Sequence, residues 1–353
     1  MKKVLFFGIF DPKYGRTRVL QLGFERNGYQ VVECRVNPRE HRGLRKYVIL
    51  ARLGLAARKE PHDLVLVNFP GHSVVWLARL LFGKKIIFDA FLSLYDSNVF
   101  DRKVYGPHSL RGRRDFFLDW WSCRLASRVL LETNAHIEYF VETFGIPRAK
   151  FIRIWISADN TTFHPLPMPE EEIFTVHFHG TFIPLQGISY IIKAAALLRD
   201  ENIHFRIIGA GQEYEKIQNL VTELKLEKII EFTGKIPVEK VSEYMARAHI
   251  VLGIFGDTEK TKRVIPNKVY EAMAMGKAII TADTPVIHEL DGATEALALV
   301  PIADADALAK KIRELKNDEP RRARVARAAE ALYERELRPE YMVLNLLKEL
   351  LKR

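Results

Sequence analysis

Lys262, Arg263, Asn267, Lys268 and Glu271 lie within one short stretch around Pro266. Proline suits the first turn of a helix, because its missing N–H would have had no intrahelical partner there. A helix start also offers free N–H donors and the positive end of the helix dipole. Three cations gathered at such a point make an anion site, and phosphate is the anion that helix starts commonly take. Glu271 lies one turn further on, where its carboxylate can accept hydrogen bonds from a pair of sugar or ribose hydroxyls. The competing reading is a surface ion pair with Lys268 or Arg263. Ala272, Ala274 and Gly276 are small enough to let this helix pack closely on a sheet.

Other candidates sit where apolar runs end. In His179-Gly180-Thr181-Phe182-Ile183-Pro184-Leu185-Gln186-Gly187, Gly180 allows close backbone approach, Thr181 and Gln186 offer neutral hydrogen bonds, and Gly187 opens a helix. Gly209-Ala210-Gly211 is a second tight turn, without the third glycine and spacing of a dinucleotide fingerprint. In the first half, Gly8 and Arg16 flank a loop that could meet the phosphate of a ligand, with an ordinary surface role as the alternative for the arginine. Asp89 closes the run Ile86-Ile87-Phe88 and is a candidate to orient a substrate hydroxyl or take its proton, or else to cap a turn. His72, after Asn68-Phe69-Pro70-Gly71, is a further candidate for acceptor or phosphate, set against a structural role.

These residues need strands that end beside them. Continuous apolar runs predict strands at Val4–Phe7, Val31–Val36, Leu64–Val67, Ile86–Phe88 and Val129–Leu131, with Gly8–Arg16 as the loop after the first. A second series runs Thr175–His179, Phe205–Ile208, Ile229–Thr233, Ile250–Ile254, Ala278–Thr281 and Leu297–Val300. Helical spacing falls at 188–198, 213–224, 238–247 and 267–275, between the strands of the second series. Three more helices are predicted at 305–316, 321–332 and 341–351. The pattern predicts an α/β chain of two Rossmann-like units with parallel sheets, joined through the proline-rich stretch 160–172. The expected boundaries are 1–163, 164–335, and a C-terminal helix at 336–353 able to pack back on the first unit.

The 353 residues are 48% hydrophobic and 28% charged, enough for a sizeable core and unlike a disordered chain. Two cysteines, Cys34 and Cys123, exclude a disulfide framework and point to a reducing compartment. The uncharged stretches 64–78 and 173–192 are respectively too short and too interrupted by histidine, glycine and proline to span a membrane. The opening run Val4–Phe10 ends at Asp11 without a cleavage site, so it reads as a strand and not as a leader. Charge is uneven: residues 1–163 hold 27 Lys+Arg against 15 Asp+Glu, and residues 164–353 hold 27 against 29. A basic first half suits an anionic partner. The stretch 41–59 joins Arg42, Arg45, Lys46, Arg52, Arg58 and Lys59 to Leu44, Val48, Ile49, Leu53 and Leu55, as a helix lying on an anionic bilayer would. Arg111, Arg113 and Arg114 beside Phe116, Phe117, Trp120 and Trp121 form a second basic and aromatic group. No metal-ligand spacing, Gly-x-Ser-x-Gly elbow or phosphate-loop lysine motif is present, which leaves triad hydrolysis, zinc chemistry and an ATPase unsupported.

Taken in order, Gly180-Thr181, Gln186-Gly187, Gly209-Ala210-Gly211, Phe232-Thr233-Gly234, Pro266-Asn267-Lys268 and Glu271 to Gly276 resemble the donor half of GT-B glycosyltransferases, the family 4 retaining group in particular. The resemblance covers roughly residues 174–316. It implies two Rossmann-like domains facing a central cleft, a nucleotide-diphosphate sugar on the C-terminal unit and an acceptor on the N-terminal one. It implies no cofactor and no required metal. Thr181 and Gln186 stand where family members carry an arginine and a lysine, and Arg263 stands where the first of two glutamates is usual; Glu271 keeps the second. Phosphate contacts are then expected from Arg263 and Lys268, and Asp89 takes the place of a histidine near the reacting sugar. The expected function is retaining transfer to a glycan or lipid-linked acceptor in cell-surface polysaccharide synthesis, in the cytoplasm or on the inner face of the membrane, with no nucleic acid involved. The alternatives are an altered GT-B protein that only binds nucleic acid or membrane, and a sugar-nucleotide epimerase.

Overall fold

The computed structural model describes residues 1–41, 43–167 and 169–352, so Arg42 of the basic stretch lies outside the described residues. The chain divides into two units, one of Met1–Asp159 with Arg338–Arg353, the other of Asn160–Leu337.

The first unit is built on β1 (Lys2–Ile9), β2 (Tyr29–Val36), β3 (Leu64–Val67), β4 (Ile86–Asp89), β5 (Arg128–Leu131) and β6 (Phe151–Arg153). They form one parallel sheet in the order β2-β1-β3-β4-β5-β6. Alternate residues of β1 feed two cores: Leu5, Phe7 and Ile9 enter one, Val4 and Phe6 the other. Burial on both sides is why these strands read as unbroken apolar runs. The helices are α1 (Gly15–Arg26), α2 (Arg45–Ala57), α3 (Val75–Phe82), α4 (Leu110–Leu125), α5 (Asn134–Phe144) and, from the far end of the chain, α13 (Pro339–Leu351). Helix α13 places Met342, Val343 and Leu346 in the core shared with Val19, Leu20 and Phe24 of α1. The contact needs a residue without a side chain: a Cβ on Gly23 would lie 2.4 Å from Val343 and 2.5 Å from the Pro339 carbonyl.

The second unit holds β7 (Phe174–His179), β8 (Ile203–Ile208), β9 (Ile230–Gly234), β10 (Ile250–Leu252), β11 (Ala278–Ala282) and β12 (Ala298–Val300), parallel in the order β12-β11-β10-β7-β8-β9. Its helices are α6 (Ile188–Leu197), α7 (Tyr214–Glu223), α8 (Val238–Arg247), α9 (Asn267–Ala274), α10 (Ala293–Ala296), α11 (Ala305–Asn317) and α12 (Glu319–Leu332). From β7 the chain moves outward to β8 and β9, then returns to place β10 on the other side of β7. The strand order therefore reverses between β7 and β10, and such a switch point opens a crevice at the carboxyl ends of the two strands. Helices α6 and α9 follow β7 and β10, so their N-termini lie at that edge.

Two local expectations are corrected. Gly8 belongs to β1, where it pairs with Arg35, so the loop begins two residues later than its glycine suggested. Strand β6 was not foreseen; its three residues are too few for a pattern, and it forms only by adding to β5. Among the described residues no helix is long and apolar enough to cross a membrane.

Candidate functional site

The carboxyl edge of β7 carries an extended polar chain. His177 and His179 share one face of the strand, as residues two apart must. Nε2 of His177 lies 3.0 Å from Nδ1 of His179, and Nε2 of His179 lies 2.7 Å from Oε2 of Glu271 on α9. A carboxylate can only accept, so His179 donates from Nε2. His177 is fully buried, and burial, with His179, Arg206, Lys268 and Lys277 nearby, holds its pKa well below the usual histidine value. The Glu271 side chain is 16% exposed.

Lys268, one turn before Glu271, is enclosed. Its Nζ donates to Oε1 of Gln186 and lies 3.7 Å from the centre of the Phe178 ring. Burial pushes its pKa well below the ordinary lysine range, while Glu271 works in the opposite direction. A Cβ on Gly180 would come within 2.9 Å of this amine, so the glycine leaves room for it. Gly209 serves a tighter approach, because a Cβ there would lie 1.9 Å from the Gly180 carbonyl. Gly180 N–H donates to the Ile208 carbonyl at 2.9 Å, which ties the two turns together.

Gly180, Gln186, Lys268 and Glu271 thus come together through Lys268 and His179, whereas Thr181 is exposed and Arg263 and Asn267 are half-buried. Pro266 is the residue just before α9, with Asn267 its first helical residue. Lys262, expected at the same helix start, pairs instead with exposed Glu259 at 2.7 Å.

In the first unit, Asp89 and Arg16 partner each other. Arg16 Nη2 donates to Oδ1 at 2.9 Å, its Nε lies 3.2 Å from both carboxylate oxygens, and its Nη1 donates to the Trp155 carbonyl at 2.9 Å. Both side chains are 1% exposed, so in this conformation neither offers its charge to a phosphate or an acceptor. Tyr14, whose ring packs on Phe69 and Phe91, has its hydroxyl pushed up to about 12, by burial of the group first and by Asp89 second. His72 is likewise inside: its ring meets Phe88 edge-on at 4.9 Å, and its Nε2 lies 3.3 Å from Asp119. Burial lowers His72 to about 4 and raises Asp119 to about 7, although Ser93 Oγ and the Leu94 and Tyr95 N–H groups all donate to that carboxylate. A neutral imidazole set among Phe69, Phe88 and Asp119 is a packed core residue.

Helix α4 is turned over relative to an ordinary surface helix. It buries Asp115, Asp119 and Ser122 while Leu110, Phe117 and Trp121 stand in solvent beside exposed Arg111, Arg113, Arg114 and Arg124. On α3, Trp76 and Leu80 are exposed as well. Helix α2 buries only Leu50 and Gly54 and exposes Val48, Leu53 and Leu55.

Sequence reasoning missed His177, His179 and Asp119. The two histidines did carry a signal, since alternation in a strand puts both on the side opposite Phe178. Asp119 carried none, because its partners lie 24 to 26 residues away. Among the described residues no group of three or more potential metal ligands is present.

With this geometry in hand, residues 161–332 match the family model described as Glycosyl transferases group 1. A colanic acid biosynthesis glycosyltransferase by name, WcaL of Escherichia coli K12, is 29% identical over 183 residues, covering 49% of this chain and 43% of that protein. The chain thus spans less than half the length of this relative. Among solved structures, Anabaena HepE in complex with UDP aligns over 100% of both chains with a TM-score of 0.73 and 16% identity. Sucrose-phosphate synthase from Thermosynechococcus elongatus aligns over 99% of this chain and 98% of its own with a TM-score of 0.76 and 17% identity. The chain therefore has the GT-B fold of two Rossmann-like units, and its residues 161–332 match the glycosyl transferases of group 1.

Proposed function

We propose that the protein is a retaining, metal-independent glycosyltransferase that moves a sugar from a nucleotide-diphosphate donor to an acceptor hydroxyl. The observation that carries this is the Glu271 carboxylate, oriented by His179 at the switch point of the unit that matches the group 1 family model. HepE has been captured with UDP and with UDP-glucose, which supports a uridine nucleotide as the first donor to try. In this reading Glu271 takes the ribose hydroxyls. The start of α9, with Asn267, Lys268 and Arg263, compensates the diphosphate charge, and the Gly180 and Gly209 turns let the backbone approach it. Thr181 and Gln186 contribute neutral contacts. As the bond from the anomeric carbon to the phosphate oxygen breaks, the acceptor oxygen bonds to that carbon from the same face. The acceptor proton passes to the departing phosphate, whose charge the cations stabilise. Arg16 and Asp89 hold the acceptor side of the first unit in shape.

The acceptor in this reading is a glycan or lipid-linked saccharide of cell-surface polysaccharide, in line with the name of WcaL. The outward aromatic face of α4, edged with arginines, supports work on an anionic bilayer.

The test is a panel of nucleotide sugars assayed for nucleoside diphosphate release. Wild type is expected to turn over at least one, Glu271→Ala to lose at least about a hundredfold in kcat/KM, and chelation of divalent cations to leave the rate unchanged. NMR of the product is expected to show the anomeric configuration of the donor. Wild-type turnover in Glu271→Ala, or an inverted product, would remove this assignment or its stereochemical part.

A further inference from the structure

The pair of histidines on β7 is not accounted for by charge compensation or by packing. We infer that His179 is a positioning residue of the donor site, locked by His177 into the tautomer that presents Nε2–H to Glu271, so that one carboxylate oxygen stays committed and the other is free for ligand hydroxyls. This rests on the reading of Glu271 as the ribose contact.

The hydrogen-bond inventory leaves one consistent assignment. Glu271 accepts from His179 Nε2 at 2.7 Å, so that nitrogen bears a proton. With a neutral ring, Nδ1 of His179 is then a bare acceptor, and His177 Nε2 at 3.0 Å is its donor. His177 thereby keeps Nδ1 as a lone pair, and this atom is buried with no partner. The reverse assignment would put a proton on that buried Nδ1, leaving an N–H without an acceptor, which proteins avoid more strictly than an unmatched lone pair. Burial and the neighbouring Arg206, Lys268 and Lys277 also keep His177 from taking a second proton. The tautomer of His179 is therefore set by the residue behind it, as outer partners set the tautomer of histidines that ligate metals. Without His179, Glu271 is free to turn toward a neighbouring cation, and Lys268 is close enough for the two to interact.

Two measurements test this. In the first, wild type is titrated with UDP, GDP, ADP and CDP, and the tightest binder is compared with its 2′,3′-dideoxy counterpart. Wild type is expected to favour the ribose form by about tenfold or more, the scale of one or two hydrogen bonds to a charged acceptor. His179→Ala is expected to lose most of that preference, and His179→Gln, whose amide N–H can take the place of Nε2–H, to recover much of it. Full preference in His179→Ala would overturn the inference. If wild type shows no preference, or Glu271→Ala keeps it, the reading of Glu271 itself fails. The second measurement needs no ligand: ring-nitrogen NMR at neutral pH is expected to show both histidines protonated on Nε2, and His177→Phe to turn His179 into a mixture of tautomers. A proton on Nδ1 of His179 in the wild type would overturn the inference whatever the nucleotide result.

Discussion

Asp89 and Arg16 illustrate how a charge pair can be read from a sequence as two separate sites. Each ends or opens an element at the carboxyl edge of the first sheet, and each is the residue type that a reacting sugar or a phosphate would need. Their position was legible; their choice of each other was not, because they stand 73 residues apart. Removing one partner of such a buried pair leaves the other charge uncompensated and costs about 3–5 kcal/mol. Asp89→Ala is therefore expected to lower stability by that amount in denaturant titrations, and Arg16→Leu with Asp89→Leu to recover most of it. A variant Asp89→Ala that is as stable as wild type yet inactive would favour a direct role in the reaction instead. Lys268 carries a second prediction. Its pKa is depressed by burial, so the folded protein holds fewer protons than the unfolded chain between the two pKa values, and stability contributed there rises with pH. A bound diphosphate reverses the balance by supplying a countercharge. Nucleoside diphosphate binding is then expected to take up protons in the pH range between the depressed pKa and the ordinary lysine range. Calorimetry in buffers of different ionisation enthalpy would measure this, and proton release would contradict it.

At the scale of elements, eleven of the twelve strands are legible to within two residues at each end, because a doubly covered parallel strand is a continuous apolar run with little else it can be. The start of β8 and the existence of β6 were less visible. Short β6 has no covering pattern of its own, and the histidine and arginine in β8 interrupt its run. Helix α4 is harder to read for a different reason: its aspartates face inward. Ser93, Leu94 and Tyr95 all donate to Asp119, so Asp119→Ala is expected to strand buried donors and cost about 3 kcal/mol. A thermal melt would register this as a fall of several degrees; an unchanged melting temperature would mean that the network contributes nothing. The seam between α1 and α13 is tight enough that Gly23→Ala must push Val343 or Pro339 aside, at about 1–3 kcal/mol despite the better helix propensity of alanine.

The whole molecule joins a unit with an excess of basic residues to one close to neutral. Within the first, α4 exposes Phe117 and Trp121, stacked with ring centroids 6.0 Å apart, among arginines. That combination predicts co-sedimentation with vesicles containing phosphatidylglycerol, weakened by salt and by Phe117→Ser with Trp121→Ser, and little binding to phosphatidylcholine alone. Equal binding to both vesicle types would contradict an electrostatic and aromatic anchor. Within the second unit, the site was legible as a place and incompletely as a set of contacts. Glu271 and Lys268 stood out by type and spacing, whereas the histidines that orient one and the Gln186 carbonyl that holds the other depend on how β7 meets α9.

The central claim is that a nucleotide diphosphate docks at the switch point between β7 and β10. Hydrogen–deuterium exchange with and without UDP or GDP tests it most directly. The account predicts slowed exchange in peptides covering 180–187 and 266–272; protection confined to other peptides, or none at saturating nucleotide, would contradict it.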